Sequence, residues 1–120
     1  MHFEHHTVVL VRRPTAPPEL PAAALLRLWD AHRAHQEGLV GQGHVIAAGP
    51  LVGPDGTDAG ELCVFVGEPE LAGRLYDNDP AVRAGQLSVE VLIWGTPPGN
   101  VRFANVPLPA SLLEPGPSPT

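Results

Sequence analysis

HVIAAGPLVGPDGTDAGELCVFVGE, residues 44–68, decides how the chain folds. Its two ends, HVIAAGPL (44–51) and ELCVFVGE (61–68), are short apolar runs containing β-branched residues, and each predicts a strand. VGPDGTDAG (52–60) between them is rich in turn residues, and the Gly49-Pro50 pair is expected to close the first of the two strands. Two strands in succession therefore occupy the middle of the chain.

Working toward the N-terminus, the segment from about Glu19 to Val40 is dense in alanine and leucine, with Gly41 and Gly43 beyond it as stop signals, so it predicts a helix. PTAPPEL (14–20) is a proline-rich loop, and HTVVLVRR (6–13) is a β-branched run halted by Pro14. Toward the C-terminus, PELAGRLYDND (69–79) reads as a second helix, DPAVRAG (79–85) as an extra helical turn, and LSVEVLIWG (87–95) as a fourth strand. The order is β-α-β-β-α-β. That is the ferredoxin-like α+β arrangement, one antiparallel sheet with two helices on one face.

The strands carry apolar residues on both faces. Leu87, Val89, Val91 and Ile93 point one way while Leu92 and Trp94 point the other, and Cys63 and Phe65 oppose Leu62, Val64 and Val66. Two helices cover one face only, so the other is expected to pack against a second copy, giving a homodimer, or against the tail. The expected organisation is a domain over residues 1–95 and a proline-rich tail over 96–120, strapping the surface through Phe103 and Leu112 to Leu113, with EPGPSPT (114–120) disordered.

Composition narrows the function classes. A hydrophobic fraction of 43% fits a folded domain, and no run of about 20 apolar residues is present to span a membrane. Residues 1–14 lack the basic start, apolar centre and cleavage site of a signal peptide, so a cytoplasmic location is expected. The single cysteine, Cys63, agrees with a reducing compartment. Seven arginines, no lysine and a net charge of -6 argue against a nucleic-acid surface.

One residue breaks the pattern. On a helical projection Leu25, Leu28, Trp29 and Leu39 form the apolar stripe of the first helix and His32 falls near its centre, with His35 at the edge. Arg27, Asp30, Arg33 and Glu37 map to the opposite, solvated side, and Asp30 is a poor partner for His32 because residues two apart do not face each other. Three readings are open for His32: a core imidazole satisfied by a carbonyl, a general acid or base, or a metal pair with His35. The third is the weakest, since transition-metal sites take three or four ligands and no further cluster is evident. His2, His5 and His6 read as solvent-facing residues at the entry of the first strand. Asp79 before Pro80 is an N-cap followed by proline at the first helical position, and a capping carboxylate brought near His32 would orient the ring.

Taken together, these motifs resemble the YciI-like (YCII) family from about His6 to Trp94. The resemblance rests on His32 followed by GHVIAAGP (43–50), on DPAVRAG (79–85), and on a closing strand that ends in VLIW (91–94). It implies a dimeric α/β barrel in which two sheets face each other. It also implies that His32 and Asp79 are a catalytic pair, in chemistry that moves protons on small unsaturated or phenolic rings without a cofactor. A dehydrochlorinase branch and muconolactone isomerases on the same barrel are examples.

The function expected is therefore cofactor-independent proton transfer or elimination on a small cyclic or phenolic substrate, in a pocket between the sheet and the first helix, without a metal. Arg83, one turn after Asp79, is expected as an anion contact, and residues 14–21 and 51–60 are expected to shape the pocket. Two other readings of the same chain are a non-catalytic small-molecule-binding dimer and a cofactor-free oxygenase on the same barrel.

Overall fold

The computed structural model describes residues 2–104. Four strands and three helices follow in the order β1 (Glu4–Arg12), α1 (Ala22–Gly41), β2 (Val45–Val52), β3 (Asp58–Phe65), α2 (Pro69–Asp77), α3 (Pro80–Arg83) and β4 (Ser88–Thr96). The sheet is antiparallel with strand order β2-β3-β1-β4, so each βαβ unit straddles one intervening strand. This is the ferredoxin-like arrangement.

Local chemistry sets the boundaries. α1 begins at Ala22 and not near Glu19, because Pro21 pushes the residue before it out of the helical region and itself sits extended at the cap, with ψ 148°. β2 runs through Pro50 to Val52 and does not end at the Gly49-Pro50 pair; it is an edge strand, where a missing N–H is tolerated. The hairpin to β3 closes through Gly53 N–H donating to the Thr57 carbonyl at 2.7 Å, with Gly56 at φ +86°. α2 opens on Pro69 with Glu70 in its first turn and Arg74 in its last, charges that complement the helix dipole.

Registry puts Val9 of β1 opposite Cys63 of β3 and Val91 of β4, and Val11 opposite Glu61 and Val89. These odd-numbered positions face the helices, where Val9, Val11, Leu39, Val45, Cys63, Phe65, Ala72, Tyr76, Ala81 and Leu87 form the core. Each fully buried aliphatic or aromatic side chain there contributes about 1.5–3 kcal/mol. The even-numbered positions form the other face, which no helix among the described residues covers. On it Leu92 and Trp94 are each 42% exposed. Arg12 and Glu90 meet there at 3.9 Å with both side chains more than half exposed, a pair of little energetic weight.

Beyond β4 the chain returns to β1. Gly99 N–H donates to Glu4 Oε1 at 2.7 Å, and the Phe103 ring meets His6 edge-on at 5.4 Å. Leu112, Leu113 and the final EPGPSPT segment lie outside the described residues.

Gly60 shows how tightly β3 runs against β1. Its φ is +100°, and a Cβ there would stand 2.4 Å from the Val11 carbonyl oxygen. Gly60→Ala is expected to destabilise the fold by about 1–3 kcal/mol through the left-handed backbone alone, with the clash adding to it. Urea unfolding followed by circular dichroism measures this.

Candidate active site

The buried face of α1 carries His32, Gln36 and Leu39, at i, i+4 and i+7. Two of those three are polar, so α1 presents hydrogen-bonding groups to the interior and each needs a partner. His32 is fully buried, and its Nδ1 is paired with Asp79 Oδ2. Asp79 is also fully buried, and its second oxygen, Oδ1, accepts from the Ala81 N–H at 2.9 Å as the N-cap of α3. The carboxylate accepts on both sides. Nδ1 is therefore the nitrogen that donates, and Nε2 is the one left outside the pair. Nε2 is buried without a hydrogen-bond partner among the described residues.

The Asp79 cap reaches α1 because α3 is held in place by the loop that precedes α1. Gln86 Nε2 donates to the Pro18 carbonyl at 2.6 Å, which ties the proline-rich segment to the residues just after α3. The Trp29 ring stands edge-on to His32 at 6.1 Å, and the Arg13 guanidinium lies 5.3 Å from the Trp29 ring centre.

A cavity of about 560 Å³ opens between α1 and the sheet, the location expected from the sequence. That volume suits a small organic molecule. Its apolar wall includes Val11, Leu26, Trp29, Val52 and Leu87, and its polar groups include Arg13, His32, Arg33 and Glu61. The expected contribution of residues 51–60 is present through Leu51, Val52, Gly56, Asp58 and Gly60; residues 14–21 do not line it.

Glu61 is the residue that the sequence reading did not single out. It is 2% exposed, in phase with Cys63 and Phe65 on the core face of β3. Its Oε1 accepts from Gln36 Nε2 at 3.4 Å and from the Cys63 thiol at 3.2 Å. Burial pushes its carboxyl above the ordinary glutamate range, outweighing the lowering by the Cys63 hydrogen bond and by His32. Burial likewise pushes up the Cys63 thiol and the Tyr76 hydroxyl, so Cys63 stays a thiol at neutral pH and is no nucleophile.

The remaining candidates fall elsewhere. His35 Nε2 donates to the Leu75 carbonyl at 2.9 Å, tying α1 to α2, so His32 and His35 take separate partners. His44 stacks on Phe65 at 5.4 Å, and His6 contacts Trp94 and Thr96. Arg83, expected as an anion contact, is exposed at the end of α3 and does not line the cavity, because the short helix turns Ala81 inward and Arg83 away. Arg13 and Arg33 are the cations at the cavity. Arg33, mapped to the solvated side, is only partly exposed and pairs with Asp30 at 3.6 Å. Ser88 donates to the Arg12 carbonyl on the strand backbone at 3.3 Å, and neither it nor Glu90 lines the cavity.

No family profile matches the chain, and no curated protein matches it. Among solved structures it is similar to 5-chloro-2-hydroxyhydroquinone dehydrochlorinase from Burkholderia phenoliruptrix AC1100, determined in complex with 2,5-dihydroxybenzoquinone. The identity is 20% over 73% of this chain and 90% of that one, with a TM-score of 0.45. No helix among the described residues is long and apolar enough to cross a membrane.

Proposed function

We propose that this protein is a YciI-like, cofactor-independent enzyme of proton transfer, catalysing isomerisation or elimination on a small cyclic or phenolic substrate. His32 is the acid or base, and Asp79 holds it in the reactive orientation. The observation that carries the reading is a fully buried His32–Asp79 pair whose outer nitrogen lacks a protein partner among the described residues and whose ring borders the cavity. A histidine retained only for packing would have both nitrogens satisfied or one at the surface. An imidazole oriented by a carboxylate suits removal of a proton next to a carbonyl or phenol, worth roughly 10²- to 10⁴-fold in rate.

The test is a thermal-shift screen of phenols, lactones and quinones against wild type and His32→Gln, followed by product analysis. A compound that stabilises wild type and is then consumed supports catalysis. One that stabilises it and is recovered unchanged supports a binding protein instead.

We propose further that the protein acts as a homodimer joined through the uncovered sheet face. Leu92 and Trp94, each 42% exposed on that face, support this. Sedimentation equilibrium is expected to give twice the chain mass of 12.7 kDa, and Trp94→Asp to shift it to the monomer. A monomer in the wild type at micromolar concentration contradicts the dimer.

A further inference from the structure

Among the described residues, His32 is one of two buried acid-base side chains that border the cavity with an unsatisfied atom. The other is Glu61, whose Oε2 has no hydrogen-bond partner among the described residues. Its Oε1 already accepts two donors, Gln36 Nε2 and the Cys63 thiol. A neutral acid held this way carries its proton on Oε2. An aliphatic side chain in phase with Cys63 and Phe65 would pack the same position without desolvating a carboxyl. Retention of an acid here, with one oxygen braced and the other bordering the cavity, is the arrangement of a working group.

We propose that Glu61 is a second catalytic residue of this cavity, a proton donor that complements His32 Nε2. The inference rests on the proton-transfer reading above and deepens it, because it selects substrates with an acidic C–H beside an oxygen or leaving group that must be protonated.

In an elimination, His32 Nε2 takes the ring proton and the C–H electron pair becomes the new double bond. The leaving group departs with its bonding pair and takes the Glu61 Oε2 proton. The cavity is left with imidazolium and carboxylate, and one proton passed between them through solvent restores both. In an isomerisation, Glu61 protonates the carbonyl oxygen as His32 removes the neighbouring proton, and the neutral enol then takes a proton at a different carbon from His32 while returning one to Glu61. Burial favours the neutral carboxyl, which is the form this role requires.

The titratable groups around Glu61 are His32 from α1, Asp79 from the head of α3, Tyr76 from α2 and Cys63 on its own strand. Arg13, Asp30, Arg33 and Asp58 border the same cavity. Asp79 works in the same direction as burial, whereas His32 works against it.

The experiment titrates 4-nitrophenol, whose absorption reports its ionisation state, into wild type, Glu61→Gln and His32→Gln from about pH 5 to about pH 9. Once Glu61 ionises in the wild type, its carboxylate repels the bound phenolate, and the amide of the variant cannot. The ratio of wild-type to Glu61→Gln dissociation constants is therefore expected to rise about tenfold across that range. A ratio that stays flat overturns the assignment, since it would mean that Glu61 exchanges no proton beside the bound ring. If His32→Gln changes the bound spectrum while the ratio is flat, Glu61 alone is wrongly assigned. If His32→Gln also changes nothing, or wild type binds no 4-nitrophenol, the proton-transfer reading falls with it.

A ligand-free measurement covers the same point. A carboxyl whose folded pKa is raised binds more protons folded than unfolded, so its stabilising effect is complete below the ordinary value near 4.5 and is lost as pH rises through the folded value. Wild type is thus expected to lose thermal stability relative to Glu61→Gln as pH climbs above that value. A melting-temperature difference that does not vary with pH overturns the proposal.

Discussion

His32→Gln is expected to lower turnover on the substrate by roughly 10²- to 10⁴-fold while leaving the protein folded. Glutamine can still donate to Asp79 from its amide, so the buried carboxylate keeps a partner, but it has no nitrogen that exchanges protons near neutral pH. His32→Ala behaves differently. It leaves Asp79 fully buried with only the Ala81 N–H on its other oxygen. Leaving a buried carboxylate without its donor typically costs about 1–3 kcal/mol, and more for a charged group, out of the roughly 5–15 kcal/mol that holds a domain of this kind together. Kinetics should therefore be read from the glutamine variant and stability from the alanine variant by urea unfolding. Full turnover in His32→Gln would end the catalytic assignment.

Substitution of Asp79 should separate its two duties. Asp79→Asn would retain a side-chain oxygen to cap the Ala81 N–H, and asparagine is as good an N-cap as aspartate. The new amide, however, donates toward Nδ1 of His32 and forces the imidazole proton onto Nε2, the nitrogen that has to accept. A change of tautomer of this kind in a His-carboxylate pair can remove about 10⁴-fold in rate. Asp79→Ala loses the cap as well, about 0.5–2 kcal/mol, and leaves Nδ1 buried without an acceptor, about 1–3 kcal/mol more. The expected order of stability is wild type, then Asp79→Asn, then Asp79→Ala, whereas both variants are comparably inactive. Thermal melts and initial rates on the same preparations check this. Equal loss of stability in the two variants would mean that the cap is not what Asp79 contributes to α3.

Much of the fold was legible because hydrophobic period and turn chemistry are local. The β-branched run HTVVLVRR halted by Pro14 and the apolar run LSVEVLIWG announce strands, and Asp79-Pro80 announces a helix start whatever surrounds it. The departures have local causes too. Pro21 delays α1, and β2 passes through Pro50 only because β2 lies at an edge, a fact of sheet order that no dipeptide carries. His32 stood out because an imidazole interrupts an apolar stripe. Glu61 stood in the same relation to Cys63 and Phe65, an acid in phase with core residues two and four positions on, but the sequence pattern starts that strand at Glu61, whereas β3 begins at Asp58 and places Glu61 within it.

The sequence by itself determined the order of elements, the two-sided apolar sheet and the misplaced histidine, since each depends on residues within a few positions of one another. Only the tertiary structure decided which groups meet: His32 with Asp79 across 47 residues, Gln36 with Glu61 across 25, and Arg13 and Arg33, not Arg83, at the cavity. Periodicity specifies the face of an element on which a side chain lies. What stands opposite depends on how elements pack and on the depth to which each is buried, and those are properties of the whole chain.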